Sequence, residues 1–402
     1  MAMYVFIYGK NAELSLAEIV SCLEARGCEF RLAEHAEYFA LIETEALPQK
    51  IMELLGGTLK VGGVIFYGNA GHEEAAREME RRLDFGKMFA GLPDKALIAV
   101  SSYNTIEEQE FFRAFFRKHA KALGVRPGFV HLPRGSTALT HTGFIEKKLA
   151  ARGKEFMVFG RTGVAETLSV HNPYDFRKRD LGRPAQRTSQ SIPPRLCRIM
   201  INLSGTRGGL LLDPFCGMGA ILQEAALMGF GVRGLDREEN CVQGCIKNLA
   251  WTAGQYGIVM RDLGKKIRRG DARKLDVFFG ADSVDAIVTE PYLGPVLNTR
   301  PPEREARRII EETRPLYSGA LAAMAKVLRP GGRIVMVTPC FMVGSCFVRH
   351  DMEAMCSGAG LRLVDPLEKY KIPHDFPLLD YGERHSTIRE INVMEKPVIA
   401  GK

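Results

Sequence analysis

The chain is 402 residues long, more than one ordinary core accommodates, and its 46% hydrophobic and 25% charged residues exclude long disordered stretches. A formal net charge of +8 suits a protein that meets phosphate backbones or anionic surfaces, although many enzymes share that balance. Nine cysteines without a CxxC pair argue against a disulfide framework or structural zinc, and no window holds the roughly 18 apolar residues of a membrane span, so a reduced, cytoplasmic protein without metal or membrane partner is expected.

Residues 1–70 read as two β-α-β units. Residues 4–8 form an apolar strand, 14–25 a helix with Leu16, Ile19, Val20 and Leu23 on one face, and 29–32 a second strand. A strand at 38–42, a helix at 48–55 and a strand at 60–66 repeat the order, which predicts a small ferredoxin-like α+β domain. From residue 71 to 170 a second α+β region follows. It holds the strand-like LIAVSSY, a helix over 107–123, another over 142–151, a strand over 155–159 and the strand-like AETLSV. Phe111, Phe112, Phe115 and Phe116 recur at helical spacing, the mark of a core rather than of a base-stacking platform.

Residues 171–190 are polar and broken by Pro173 and Pro184, so they read as an interdomain linker. Arg177, Lys178, Arg179, Arg183 and Arg187 crowd this stretch and are candidates for RNA phosphate contacts; a solvated charged surface is the competing reading. A second basic cluster stands at Lys265, Lys266, Arg268 and Arg269. From residue 191 to 402 the texture changes. Strands are expected at 209–213, 231–236, 266–270, 284–290 and 332–338, with helices between them, notably 219–228 and 303–328. This alternation predicts a doubly wound, mainly parallel sheet of the Rossmann-like kind.

The stretch LLLDPFCGMGAILQEAALMGFGVRGLDREE carries the chemistry. A strand ends in Asp213, a tight loop with Gly217 and Gly219 follows, a helix starts at once, and a second strand ends in Asp236. Glycines let backbone approach a ligand, and an acid at the second strand end accepts from ribose hydroxyls. The loop is not the GxGxxG of dinucleotide enzymes. Asp213 just ahead of it would repel a pyrophosphate and suits the ammonium of a methionine moiety, so S-adenosylmethionine is the expected cofactor. Asp271 and Ala272, at the end of the third strand, stand where an adenine amine would be held, with a helix cap as the alternative role for Asp271. After the fourth strand comes Thr289-Glu290-Pro291-Tyr292-Leu293-Gly294, at the carboxyl edge where ligands bind in open α/β sheets. An acid, a proline carbonyl and an aromatic there suit methylation of an exocyclic amine. The carboxylate and carbonyl accept the two N–H groups, localise the lone pair toward the methyl group, and the ring holds the base. Glu290, Pro291 and Tyr292 are the catalytic candidates; Glu290 pairing with a basic neighbour such as Arg300 is the structural alternative.

These residues resemble the THUMP-domain tRNA guanosine N2-methyltransferases, in particular the family that modifies the guanosine at position ten. The resemblance runs through NAELSLAEI, ALTHTGFIEKKLAARGKEF, AETLSVHNPYDFRKRDLGRP, SIPPRLCRIMINL and LLDPFCGMG, in that order. It implies a THUMP-like RNA-binding region over 71–170, a basic linker over 171–190 and a methyltransferase domain over 191–402, with tRNA as partner. It further implies that Asp213, Phe215, Gly217 and Gly219 line the methionine end, Asp236 the ribose and Asp271 the adenine, with Glu290 and Pro291 on the guanine amine. One departure stands out. The family motif is Asp-Pro-Pro-aromatic, and here Glu290 takes the place of the acid, followed by Pro291, Tyr292 and Leu293. Methylation of another base stays open: adenine N6, or cytosine C5 with Cys340 as nucleophile. So does a catalytically silent RNA-binding protein.

Overall fold

The computed structural model describes residues 1–93, 95–186, 191–374, 376–382 and 386–398. The chain divides into two compact units, the first mainly Met1–Pro173 and the second Tyr174–Lys402, with the segments Glu13–Gly27 and Leu54–Gly57 packing in the second.

The first unit is built on one sheet of eight strands: β1 (Ala2–Tyr8), β2 (Phe30–His35), β3 (Phe39–Thr44), β4 (Thr58–Gly68), β5 (Leu97–Ser102), β6 (Gly128–Phe129), β7 (Gly153–Phe159) and β8 (Thr162–Val170). Their order is β2-β3-β1-β4-β8-β7-β5-β6. The boundary expected at residue 70 therefore falls inside a continuous sheet, because β4 pairs with β8 along its length. The phenylalanines of the helix Ile106–Ala122 are core, as their spacing predicts: Phe112, Phe115 and Phe116 are buried against β5 and β7 side chains. The helix expected over 142–151 is interrupted at Lys148, whose φ of 52° separates His141–Glu146 from Leu149–Arg152.

The helix Ala12–Ala25 was read as amphipathic, yet buried residues run unbroken from Leu14 to Leu23. The buried Glu18 explains how so enclosed a helix is tolerated. Its two oxygens accept the Gly56 and Gly57 N–H groups, each at 2.7 Å, and Asn202 Nδ2 donates to Oε1 at 2.8 Å. A charged group without such donors would be costly in this position. Burial still pushes the Glu18 carboxyl up to about 7, against these opposing hydrogen bonds.

In the second unit the strands are β9 (Leu210–Asp213), β10 (Gly231–Asp236), β11 (Ile267–Arg269), β12 (Val284–Thr289), β13 (Leu328–Val343), β14 (Cys346–Val348), β15 (Arg362–Leu363), β16 (Leu378–Asp380) and β17 (Ile388–Glu395). The main sheet runs β11-β10-β9-β12-β13-β17-β15. The first five are parallel, and β17 runs antiparallel beside β13. The order steps outward from β9 to β10 and β11 on one side and to β12 on the other, which opens a crevice beyond the carboxyl ends of β9 and β12. The doubly wound, mainly parallel sheet expected from the sequence is the one observed. Helices Ala220–Leu227 and Glu303–Val327 agree with expectation to within a residue or two.

The expected linker is not an extended tether. Residues Pro173–Leu181 form a helix of the second unit, and a further helix spans Pro194–Leu203. No helix among the described residues is long and apolar enough to cross a membrane.

Candidate active site

A cavity of about 520 Å³ opens at the carboxyl edge of the second unit's sheet. Asp213, Phe215, Gly217, Asp236, Asp271, Ala272, Glu290, Pro291 and Tyr292 all line it, so a set chosen from four separate strand ends converges on one space. Gly219 closes the loop just behind. Its φ of 84° is left-handed backbone, and a Cβ there would stand 2.7 Å from Cys245 Sγ, so both conformation and space require glycine. Gly217 also has positive φ, and a side chain there would meet nothing within 4 Å, which leaves its backbone open to a ligand.

Asp213 is 2% exposed. Its Oδ1 accepts the Thr289 hydroxyl at 2.6 Å and the Phe215 N–H at 3.1 Å. Burial pushes the carboxyl up to about 7 despite those donors, and the nearby acids Asp236 and Glu290 push the same way. Among the described residues no cation pairs with it. An anionic site held by neutral donors alone, at the wall of a cavity, is complementary to a ligand ammonium. Thr289, the residue just before Glu290, is thereby committed to Asp213 and is fully buried.

Asp236 sits at the end of β10, where its Oδ2 accepts the Gly217 N–H at 2.9 Å and Oδ1 accepts the Glu238 N–H at 2.9 Å. The first bond ties the glycine loop to the neighbouring strand; each oxygen retains a lone pair for a ribose hydroxyl. Asp271 does cap a helix, the short 3-10 turn Ala272–Val277, by accepting the Arg273 N–H at 2.9 Å. The Arg273 guanidinium binds it as well, at 2.6 Å, and these hydrogen bonds hold its carboxyl down at about 2. The cap and the cavity wall are thus the same residue.

Glu290 follows Thr289 at the end of β12, the strand beside β9, and lines the same cavity. Its partner is not Arg300, whose guanidinium lies 3.9 Å from Met342 Sδ, but Arg389, whose Nε donates to Glu290 Oε1 at 2.6 Å. Sequence reasoning missed Arg389, which lies on β17, 99 residues away along the chain, and no local motif announces it. Burial raises the Glu290 carboxyl, and Arg389 opposes that rise. Beyond Pro291 the backbone is pinned from below: the buried Tyr317 hydroxyl donates to the Tyr292 carbonyl at 2.7 Å, while the Tyr292 ring stays 60% exposed. Gly294 then turns with a φ of 99°, at a place where a Cβ would lie 2.6 Å from Ile309 Cγ2.

Two parts of the sequence expectation are corrected. Arg179 and Arg183 are buried and cannot meet RNA phosphates as they stand. Arg179 forms ion pairs with Asp175 and with Glu224, the latter at 2.5 Å, and Arg183 donates to Ser191 Oγ at 2.5 Å. Charge in a sequence does not reveal whether a counter-charge folds over it, and Glu224 does so here, pairing with Arg198 as well at 2.7 Å. Arg177 and Lys178 are exposed; Arg187 lies outside the described residues. The cytosine reading also weakens, because Cys340 is fully buried and burial pushes its thiol up to about 12, far from the thiolate such chemistry needs.

Residues 182–350 match the family described as UPF0020, the RMKL-like methyltransferase domain. The chain is 29% identical over 350 residues to the tRNA (guanine(10)-N2)-dimethyltransferase of Methanothermobacter thermautotrophicus, covering 85% of this chain and 90% of that protein. It is 38% identical over 167 residues to the protein of the same name from Pyrococcus abyssi, covering 41% of this chain and 44% of that one. Among solved structures, TrmN from Thermus thermophilus shares the fold, with a TM-score of 0.51 and 19% identity over 98% of this chain and 99% of that one.

The fold, the site and the matched domain define the class: the chain is a methyltransferase with a Rossmann-like catalytic domain, and S-adenosylmethionine is its methyl donor. Within that class, the relatives it matches are named tRNA (guanine(10)-N2)-dimethyltransferases, the family its motifs resemble.

Proposed function

We propose that the protein transfers methyl groups to the exocyclic N2 amine of a guanosine in tRNA, at position ten, in the cytoplasm. The observation that carries this reading is the convergence of two carboxylates on one cavity, Asp213 with no cation partner among the described residues and Glu290 held at the β12 end beside Pro291 and the exposed Tyr292. Relatives named for the same activity, one along most of its length, supply the substrate class.

In this mechanism S-adenosylmethionine, when bound, supplies an electrophilic methyl on a sulfonium. Asp213 takes the ammonium, Phe215, Gly217 and Gly219 shape the methionine end, Asp236 takes the ribose, and Asp271 with Ala272 bounds the adenine. Glu290 and the Pro291 carbonyl accept the two N–H groups of the guanine amine and turn its lone pair toward the methyl, while Tyr292 offers its face to the base. The bound cofactor would supply the methyl group to the aligned nitrogen and keep the carbon–sulfur electron pair on its sulfur. The surplus amine proton then passes to Glu290 or to water. An uncharged amine that must be aimed rather than deprotonated beforehand needs an acceptor, and a carboxylate serves better than the hydroxyl of Thr289. The first unit, with its THUMP-like region over 71–170, is assigned the contact with tRNA.

The test is nucleoside mass spectrometry of tRNA transcripts after methylation. N2-methylated guanosine is the expected product, and Glu290→Gln is expected to lower turnover about tenfold or more while cofactor affinity changes little. A product of 6-methyladenosine or 5-methylcytidine, or parental rates in that variant, overturns the reading.

A further inference from the structure

An arginine that sequence reasoning did not find grips the acid placed on the amine. β17 is antiparallel to β13, so its first residues stand at the same edge of the sheet where the parallel strands end. Arg389, the second residue of β17, is opposite Pro339 in that register and opposite Asp380 on β16. From there its Nε reaches Glu290 Oε1 at 2.6 Å, and only Oε1 takes part in that bond.

We propose that Arg389 is the positioning residue for methyl transfer: it fixes the longer glutamate side chain in one rotamer, with Oε1 engaged and Oε2 left to accept the substrate amine. This rests on the reading of Glu290 given above. The motif here carries glutamate in the place of aspartate, and the extra methylene adds a torsion that would let the carboxylate wander by an ångström or so, enough to cost about a hundredfold in rate. A planar guanidinium held on a sheet edge removes that freedom, since its N–H vectors are fixed relative to the strand. Arg389 thereby compensates for the departure from the aspartate pattern.

The same contact decides the charge state of the acid. Burial favours the protonated form, and Asp380 on β16 pushes the same way, while Arg389 opposes it. Asp213 at the end of β9, Cys197 from the helix Pro194–Leu203 and Tyr317 from the helix Glu303–Val327 also feel the Glu290 charge. None of these is a cation. Removing Arg389 therefore leaves an acid that holds its proton to higher pH, and activity that needs the carboxylate is lost earlier as pH falls.

The experiment uses the full chain with tRNA transcript. Arg389→Met is expected to lower kcat about tenfold or more, with cofactor affinity by calorimetry and tRNA affinity by filter binding both within about twofold of the parent. The acidic limb of its kcat–pH profile is expected to move to higher pH. Arg389→Lys keeps a charge without the fork and should restore the limb while recovering the rate only in part. In a Glu290→Gln background the Arg389→Met change should cost little more, because its target is already gone. An acidic limb that stays put in Arg389→Met, or rate losses that simply multiply in the double variant, overturns the proposal. Should Arg389→Met fail to fold, Arg389→Lys carries the same pH and additivity comparison. If Glu290→Gln itself runs at the parental rate, it is the assignment of Glu290 that fails, which a separate arm of the series reveals.

Discussion

Glu155 in the first unit and Asp213 in the second are both withdrawn from water, yet they are surrounded in opposite ways. Glu155, fully buried on β7, pairs with Lys60 of β4, accepts Ser101 Oγ of β5 at 2.5 Å on the same oxygen, and accepts Thr167 Oγ1 of β8 at 2.8 Å on the other. Lys60 in turn donates to the Leu139 carbonyl at 2.6 Å. The charge is met from three other strands, leaving nothing for a ligand to add. Asp213 has one hydroxyl and one backbone N–H on the protein side and a cavity on the other. A closed shell of partners makes a buried acid part of the scaffold; a half-open one makes it part of a binding site, at a cost to the empty protein.

Breaking the closed shell should have the largest effect. Lys60→Ala or Glu155→Ala leaves an uncompensated buried charge, and each is expected to destabilise the first unit by about 3–5 kcal/mol in urea unfolding. The double variant Lys60→Met/Glu155→Gln should recover much of that loss, because no charge remains to be buried and glutamine still accepts a hydroxyl. Equal losses in the single and double variants would show that packing, not charge compensation, is what the pair supplies.

The open shell predicts a smaller effect of mixed sign. Asp213→Asn should weaken cofactor binding by about 2 kcal/mol or more, roughly thirtyfold in Kd, since the deleted contact is charge-assisted. The same change should stabilise the cofactor-free protein above neutral pH. Burial raises the Asp213 carboxyl from its ordinary value near 3.8 to about 7, so the folded state binds a proton that the unfolded state has released. Stability from this group is full below about 4 and is lost as pH rises through about 7. Asparagine has no such loss, and it can still accept from Thr289. Thermal melts at pH 5 and pH 8, without cofactor, should show the variant gaining on the parent more at the higher pH. A gain of the same size at both pH values would remove the ionisation argument.

What the sequence made legible follows the same division. The β9 loop and the β10 acid are close in the chain, and strand, glycines, helix and second acid each leave a local mark, so Asp213, Gly217, Gly219 and Asp236 could be placed before any coordinates. Glu290 was found by the same local logic. Its arginine was not, because the pairing runs through an antiparallel strand whose arrival at the cavity edge depends on sheet order, a property of the whole unit. The helix Ala12–Ala25 was placed correctly, but its periodicity could not show that Glu18 would be satisfied by Gly56, Gly57 and Asn202 and so allow burial all round. Arg179 and Arg183 were misread for a related reason: a run of like charges looks solvated until the acids that neutralise it are brought in from elsewhere.

That correction sharpens the last and smallest expectation, which sets the two kinds of arginine on one helix against each other. Along Pro173–Leu181, Arg177 and Lys178 face solvent, while Arg179, one position on, is 1% exposed and locked to Asp175 and Glu224. If the exposed pair meets phosphate, Arg177→Ala/Lys178→Ala should weaken tRNA binding alike for cognate and non-cognate transcripts. The slope of log affinity against log salt should fall by about 1–2, because each lost phosphate contact accounts for a little under one. Cofactor affinity should be unchanged and folding stability should fall little, the exposed Lys178 meeting the network only through its ammonium 5.8 Å from the Tyr256 ring centroid. Arg179→Ala should do the reverse. It strips the buried Glu224 of one of its two guanidinium partners, leaving Arg198, and should lower stability with no change in salt slope beyond what partial unfolding produces. An unaltered slope in the exposed double variant would return Arg177 and Lys178 to ordinary solvated surface and move the search for the phosphate contacts to the first unit.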